Sequence, residues 1–599
     1  MSETAGTVST FAAEDELPRV PVPALADSAA QFLDWCAPLL DEEQASETRA
    51  AVEQLLRGPG PVLQAALEDY AAAPTTHSWL DAFWESRYLG RRDRIALNAN
   101  FFFLFTPSTG PTEEDQAARA AGLVLGALDH KHRVETGTLP PATRRGAPTT
   151  MEQHKFLFSA TRIPGEEQDT ARTPYTDAWP GPSRERHVLV FVRGNAFRLD
   201  VLGPEGVPHT ATELTEALRA LRADVDRPGP GVGALTTKAR AAWAASRRAL
   251  RDEHRDNAAA LETIETALFC VSLEDGAPPD DLARGKELLA GNGANRWFDK
   301  AVTFVVFADG AAGINTEHCR LDGTTVLALV DGMASESTAV HAERLGARAQ
   351  GAPAATAVPF VLTEERAADV RDAAADFTAF ADSVATQLVV SDEHGSDRIK
   401  ELGVSPDVFA QLAYQAAHRR ARGFVGATYE SIANLRFHHG RTEAMRVVTP
   451  ELLAFTAAME DPDASPDARR AAFDAAADAH GKRARACEAG EVPEQHLWEL
   501  QQRRGAELGV REPPAVVDSP GWRVMRDDYM STSSAPSVNV RAFGFGSTST
   551  QCIGVAYVLL PDRWIVHLST PAEVSGQMER FAVELRTAVD ELTALLASR

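Results

Sequence analysis

Apolar positions recur along this chain with two periods, one near 3.6 residues and one of 2, and the exchanges between them mark its elements. After a Pro-punctuated entry, LPRVPVPAL, apolar side chains from Ser28 to Leu40 follow the helical period, and the first ninety residues read as helices. NANFFFLF, ending at Phe105, is a continuous apolar stretch of strand length. HVLVFVRGNAFRLDVL (187–202) predicts two strands joined by a turn at Arg193, Gly194 and Asn195, and TFVVFADGAAGINTEH (303–318) predicts a second pair. Long helices are expected over Ala367–Leu388, placed to bridge the two halves, and over Pro406–Arg422 and Pro466–Glu488. Strands near Ile553–Leu560 and Trp564–Leu568 and a closing helix, Pro571–Ala597, complete the chain. A Gly/Pro/Ala-rich run before Ala354–Pro359 marks a boundary. No repeat of fixed period occurs, which argues against a solenoid. The expected class is α/β (α+β), mixed sheets covered by helices in two large units.

Bulk properties narrow the function. At 599 residues the chain exceeds one core. A net charge of −25 argues against nucleic acid, because phosphate binding needs an electropositive surface built against the protein's own field. The cysteines, Cys36, Cys270, Cys319, Cys487 and Cys552, are scattered without CxxC spacing; this fits a reducing compartment, and no metal ligand set is assigned. No run of apolar residues reaches membrane-spanning length, and MSETAGTVSTFAAEDELPRV lacks the regions of a signal peptide, so a cytoplasmic protein without membrane contact is expected. The abundance of alanine points to a GC-rich bacterial genome.

The chemistry centres on His318. It lies between Glu317 and Asp322, just after the strand-like run TFVVF, and an imidazole with an ordinary pKa of about 6.5 is suited to take a proton from an alcohol near neutral pH. Cys319 is a weaker nucleophile candidate, since adjacent residues point in different directions.

Several segments, in order, carry a wider signal: LPRVPVPAL, WLDAFWESRYLGRRD, TRIPGEEQDT (161–170), GALTTKARAAW (233–243), NRWFDKAVTFVVFADGAAGINTEHCRLDG (295–323), LGVSPDVFAQLAYQAAHRR (402–420), ATYESIANLRFHHGRTEAMR (427–446) and YMSTSS (529–534). Together they resemble the choline/carnitine acyltransferase family. The resemblance implies two chloramphenicol-acetyltransferase-like domains facing each other around a central tunnel, with acyl-thioester entering from one side and an alcohol from the other. It divides the chain into a disordered tail (1–16), a helical segment packed on the C-terminal domain (17–94), an N-terminal domain carrying the histidine (95–358) and a C-terminal domain with the binding motifs (359–599).

By the same resemblance His318 is the base, Asp322 and Arg441 form an ion pair joining the tunnel walls, and Ser533 is the oxyanion donor, preferred to the second Ser-Thr-Ser at 547–549. Lys400, Asp407 and Ser431 fall at positions that hold coenzyme A. Ser396 stands where the family carries a further lysine, so either Arg398 substitutes or the donor is an acyl carrier protein whose phosphopantetheine lacks the 3′-phosphate. Tyr429, Thr442 and Ser531 match acceptor-binding positions. Gln495 falls where carnitine-using members have an arginine that grips the carboxylate. Phe543 matches the position that closes the acyl pocket in short-chain members, and Phe545 an aromatic near a trimethylammonium group. The implied activity is transfer of a short acyl group from acyl-CoA or acyl-phosphopantetheine to a small hydroxylated acceptor, by a monomer with no resident cofactor, in secondary metabolism. The alternatives are a true carnitine acetyltransferase, with Arg441 or Arg446 compensating for Gln495, and a non-catalytic protein that docks a carrier.

Overall fold

The apolar runs become the strands of two mixed sheets, which the computed structural model describes over residues 9–107 and 115–598. The first has eight strands, in the order Ala355–Ala357, Asn195–Asp200, His187–Val192, Cys270–Leu273, Val302–Val306, Ala312–Thr316, Phe101–Phe105 and Val540–Phe545. His187–Val192, Cys270–Leu273 and Val302–Val306 run parallel and are buried throughout, which is why each reads as an unbroken apolar run rather than an alternating one. The hairpin after Val192 turns on Arg193 (φ 50°) and Gly194 (φ 74°), with Asn195 already in the return strand. Two consecutive positive φ values match the twist of a two-residue hairpin.

The second sheet has six strands, in the order Val384–Ser391, Trp564–Pro571, Ile553–Leu559, Met530–Ser534, Thr428–Ala433 and Thr442–Arg446. Helices Pro406–Arg422 and Ser575–Ala597 cover one face, burying Phe409, Leu412 and Tyr414 with Phe581, Leu585 and Leu592. Burying each such side chain contributes about 1.5–3 kcal/mol. The N-terminal helices Leu25–Cys36, Glu42–Arg57 and Gly60–Ala72 share that core: Phe32, Trp35 and Leu63 lie in one cluster with Leu497 and Trp522.

One strand crosses between the halves. Val540–Phe545, which follows most of the second sheet in sequence, pairs antiparallel with Phe101–Phe105 at the edge of the first, placing Phe545 opposite Phe101 and Phe543 opposite Phe103. The division at 358/359 therefore does not separate the sheets cleanly.

Three expectations need correction. The helix expected over Ala367–Leu388 spans Glu364–Asp382, and the β-branched run after Ser383 forms the strand Val384–Ser391, paired with Trp564–Pro571. The closing helix begins at Ser575, because Pro571 still belongs to that partner strand. Of the tail expected to be disordered, residues 1–8 lie outside the described residues, but 9–16 are held in place. Thr10 Oγ1 donates to the Leu139 carbonyl at 2.7 Å, and the buried Glu14 carboxylate accepts from Thr150 Oγ1 at 2.9 Å and from the Met151 amide.

Candidate active site

His318 follows the strand Ala312–Thr316, and the two residues beside it are turned into the protein. Glu317 is buried against Arg162 at 3.0 Å, inside a network in which Arg162 and Arg240 each reach Asp169 at 2.6 Å. Cys319 is buried, its thiol pushed well up by burial and by Glu317, so it remains protonated and is no nucleophile. With both neighbours anchored inward, the imidazole faces a cavity, and 24% of the side chain is exposed. Tyr88 stacks on the ring at 4.6 Å between centroids, its hydroxyl 3.4 Å from Nε2, and Phe101 meets it edge-on at 5.2 Å. Burial lowers the ring's pKa from 6.5 against the opposing pull of Asp322 and its own carbonyl, so the imidazole is neutral at pH 7.

Asp322 occupies the N-cap position of the helix Gly323–Ala334, yet its side chain caps nothing. It turns instead to Arg441, which donates from Nη2 at 2.8 Å and from Nε at 3.0 Å, and to Gln153, whose Nε2 donates at 2.8 Å. Gln153 Oε1 in turn accepts from the Asp322 amide at 2.7 Å. Forgoing the cap sacrifices about 1 kcal/mol of helix stability, and bidentate pairing is the offset. Burial would raise the Asp322 carboxyl, but Arg441 and Gln153 outweigh it and hold it below the ordinary carboxylate range. The carboxylate lies 3.6 Å from His318 Nδ1. Arg441 also lies over Trp84 at 4.7 Å and Tyr88 at 5.2 Å, and donates to the Cys319 carbonyl at 3.2 Å, so one guanidinium ties together segments from three parts of the chain.

Two cavities meet at this point. The smaller, about 220 Å³, is lined by His318, Tyr88, Tyr429, Gln495, Ser531 and Phe545 among others, and the larger, about 870 Å³, by Asp407, Glu430 and Arg485. Asp322, Ser431, Thr442, Ser533 and Phe543 line both. The period of the strands explains the set. In Met530–Ser534, Ser531 and Ser533 share the face toward the cavities while Thr532 accepts from Gln411 Nε2 at 2.9 Å behind the sheet. Tyr429 and Ser431 alternate in the same way on the neighbouring strand, where Tyr429 pairs with Ser531. Ser547 and Ser549, by contrast, are loop hydroxyls bonded to backbone carbonyls.

The remaining predicted residues divide. Asp407 lines the larger cavity and accepts from the Tyr557 hydroxyl at 2.5 Å. Lys400 lines neither cavity. It is exposed and bonded to Asp397 at 3.0 Å, and Arg398 is likewise paired with Glu401 on the same short helix. The larger cavity's cationic lining is Arg144 and Arg145, which share Glu488, together with Arg485. Gln495 Nε2 donates to the Thr442 carbonyl at 3.0 Å. Arg446 is bound at both ends, to Glu494 at 2.6 Å and to Asp528 at 2.7 Å. Arg87 also lines the smaller cavity and forms none of the ion pairs found among the described residues. Sequence reasoning missed Tyr88 and Gln153; Tyr88 was visible within WESRYLGRRD but carried no assigned role.

The family model described as choline/carnitine O-acyltransferase matches residues 20–587. The chain belongs to that family. It is 28% identical over 596 residues to carnitine O-palmitoyltransferase 2, mitochondrial, of Xenopus tropicalis, covering 93% of this chain and 88% of that protein. It is 29% identical over 558 residues to carnitine O-acetyltransferase of Rattus norvegicus, covering 91% and 87%. Among solved structures, a trichothecene 15-O-acetyltransferase from Fusarium sporotrichioides aligns with a TM-score of 0.37 at 10% identity, over 84% of this chain and 92% of that one. As a family member the protein is an O-acyltransferase, and its fold is the mixed α/β arrangement of two sheet-bearing halves described above.

Proposed function

We propose that this protein moves a short acyl group from a pantetheine thioester to the hydroxyl of a small acceptor, by direct attack with His318 as the base. The observation that carries this reading is the junction of the two cavities, lined by Ser533, Asp322 and Phe543, with the neutral His318 ring on the wall of the smaller one. The acceptor occupies the smaller cavity and the thioester the larger. His318 Nε2 removes the hydroxyl proton as the acceptor oxygen attacks the thioester carbonyl, and Ser533 Oγ donates to the oxyanion. Collapse expels the thiolate, which takes the proton back from His318. No covalent enzyme intermediate is needed, and alignment of both substrates supplies much of the rate. Asp322 and Arg441 position the ring rather than exchange protons.

Coenzyme A is the favoured donor. Lys400 and Arg398 are occupied by carboxylates of their own helix, and Arg144, Arg145 and Arg485, two of which share a single carboxylate, are the cations suited to its 3′-phosphate. An acylated carrier protein is the alternative donor. Phe543, packed against Phe103 at 5.2 Å and facing both cavities, favours short acyl chains.

The acceptor is not carnitine on this reading. The amide of Gln495 provides neither the charge nor the fork of a guanidinium, and Arg441 and Arg446 are both committed to carboxylates. The reading as a true carnitine acetyltransferase is left with Arg87 as its free cation. Cytoplasmic, monomeric operation in bacterial secondary metabolism completes the proposal.

The test is to incubate the protein with acetyl-CoA or an acetylated carrier protein against a panel of small alcohols that includes carnitine and choline, following thiol release. Acceptor-dependent release abolished by His318→Ala supports the mechanism, and turnover near wild type in that variant refutes it. Thioester binding without transfer to any acceptor favours a docking protein.

A further inference from the structure

A cluster of imidazoles stands outside the substrate cavities, behind the ion pair. His77 comes from the loop after the N-terminal helices, and His438 and His439 from the connection between the strands Thr428–Ala433 and Thr442–Arg446. One ring nitrogen from each lies within 4.8 Å of the others. Centroids are 4.6 Å apart for His77 and His439, 5.4 Å for His77 and His438, and 4.4 Å for His438 and His439. His439 Nε2 is 3.8 Å from the Glu152 carboxylate, which also pairs with Lys155 of its own short helix at 2.5 Å and would exchange that partner on ligating a metal. The connection is held in an uncommon shape: His439 has φ 53°, and the His438 amide donates to the Pro18 carbonyl at 2.9 Å.

Stacked imidazoles that were protonated would repel. Burial depresses His439 to about 4 and also lowers His438, against the opposing pull of Glu152 on the first and Glu14 on the second, so their lone pairs are free at neutral pH. Neutral imidazoles with one carboxylate in reach are the donor set preferred by zinc and its neighbours in the first transition row. A tetrahedral centre with bonds of about 2.1 Å holds its nitrogens roughly 3.4 Å apart. His77 is exposed, and a shift of its ring across the face of His439 is the movement that would bring the trio toward that spacing. The other two such clusters among the described residues do not offer the same opportunity. Asp129 and Glu336 already carry the Arg344 guanidinium, with His341 bonded to Asp129, and Asp407, Glu430 and His480 lie together beside the larger cavity described above.

We propose that His77, His438 and His439, completed by Glu152, form a binding site for a divalent transition metal of the zinc type that clamps the connection leading into Arg441. Arg441 lies two residues beyond His439, and a small cavity of about 60 Å³ is lined by Glu152, Gln153, His439 and Arg441. Glu152 adjoins Gln153, so two of the four ligands flank the two groups that hold Asp322. Occupancy would stiffen the support of the catalytic segment without touching either substrate cavity.

The experiment uses the full chain without a histidine tag, stripped with chelator. Titration with ZnCl₂ by calorimetry should show one equivalent bound, and CoCl₂ should give the visible bands of a low-symmetry tetrahedral site. His77→Ala, at an exposed position where folding is undisturbed, should weaken zinc binding at least tenfold and abolish the cobalt bands. Zinc should raise the melting temperature of the wild type and not of this variant. Absence of a stoichiometric site, or zinc affinity unchanged in both His77→Ala and His438→Ala, overturns the proposal.

Discussion

Removal of Arg441 tests the arrangement around the histidine most sharply, because two measurements must move in related directions. The Arg441 side chain is 11% exposed and that of Asp322 is 2% exposed, with donor distances of 2.8 and 3.0 Å. Breaking one partner of such a pair leaves a buried charge and typically costs about 3–5 kcal/mol, whereas replacing both is far milder. Arg441→Met and Asp322→Asn should therefore each destabilise by several kcal/mol, and the double variant should lose less than their sum. The catalytic consequence runs through His318. At 3.6 Å the Asp322 carboxylate favours the charged imidazole by roughly 4–5 kcal/mol at an effective dielectric of 20, an upper figure that burial and Arg441 offset in the intact site. Deleting Arg441 removes part of that offset, so the ring's pKa rises. On the proposed mechanism the base must be neutral, so activity is lost as pH falls through this pKa, and the acid limb of kcat/KM moves to higher pH. Deleting Asp322 moves the limb the other way, to lower pH. The assays are denaturant midpoints for the double-mutant cycle and pH profiles of thiol release for each single variant. Additive stabilities together with acid limbs that do not separate would refute the placement of this pair beside the base.

Other expectations follow from the same geometry. In the unmodified protein the acid limb of kcat/KM should have its midpoint below 6.5, since burial depresses His318, and the profile should be flat from there toward neutrality. Ser533→Ala should lower kcat by 10²–10³-fold, about 3–4 kcal/mol of oxyanion stabilisation, with KM for either substrate nearly unchanged; a pure KM effect would remove Ser533 from the oxyanion role. Phe543→Gly should admit longer acyl chains, read as a rise in octanoyl-CoA over acetyl-CoA turnover. It should also lower the melting temperature, because Phe543 is only 6% exposed and truncating a buried phenylalanine costs about 3–5 kcal/mol.

Legibility in the sequence followed the distance over which each contact acts. The hairpins at 187–200 and 302–316 were readable because alternation and turn chemistry are local, and the Asp322 spacing from His318 was readable for the same reason. The helix expected through Leu388 failed at a local conflict. Alanine-rich helical periodicity runs into the β-branched VATQLVV, and the partner strand Trp564–Pro571, far along the chain, decides between them. Gln153 and Tyr88 act on Asp322 and His318 through contacts that no periodicity announces, and the His77 trio is equally hidden, because His77 lies far along the chain from the adjacent His438 and His439. Lys400 shows the converse: its position could be carried over from the family, but its engagement with Asp397 could not.

The crossing strand links these observations. Phe101 touches His318 from the first sheet, and its register partner Phe545 comes from the second half of the chain, two residues from Phe543 at the cavity junction. Pairing of Val540–Phe545 with Phe101–Phe105 thus fixes Phe543 relative to His318 through backbone hydrogen bonds. Neither half holds that geometry alone, since His318 belongs to one half and Ser533 to the other. Arg441 repeats the logic from the opposite side, reaching from the second sheet to Asp322 beside the first. His318 is therefore held between two cross-links of different chemistry, a strand pairing and a buried ion pair. A change that loosens either one should misalign His318 with Ser533 even when both side chains are untouched.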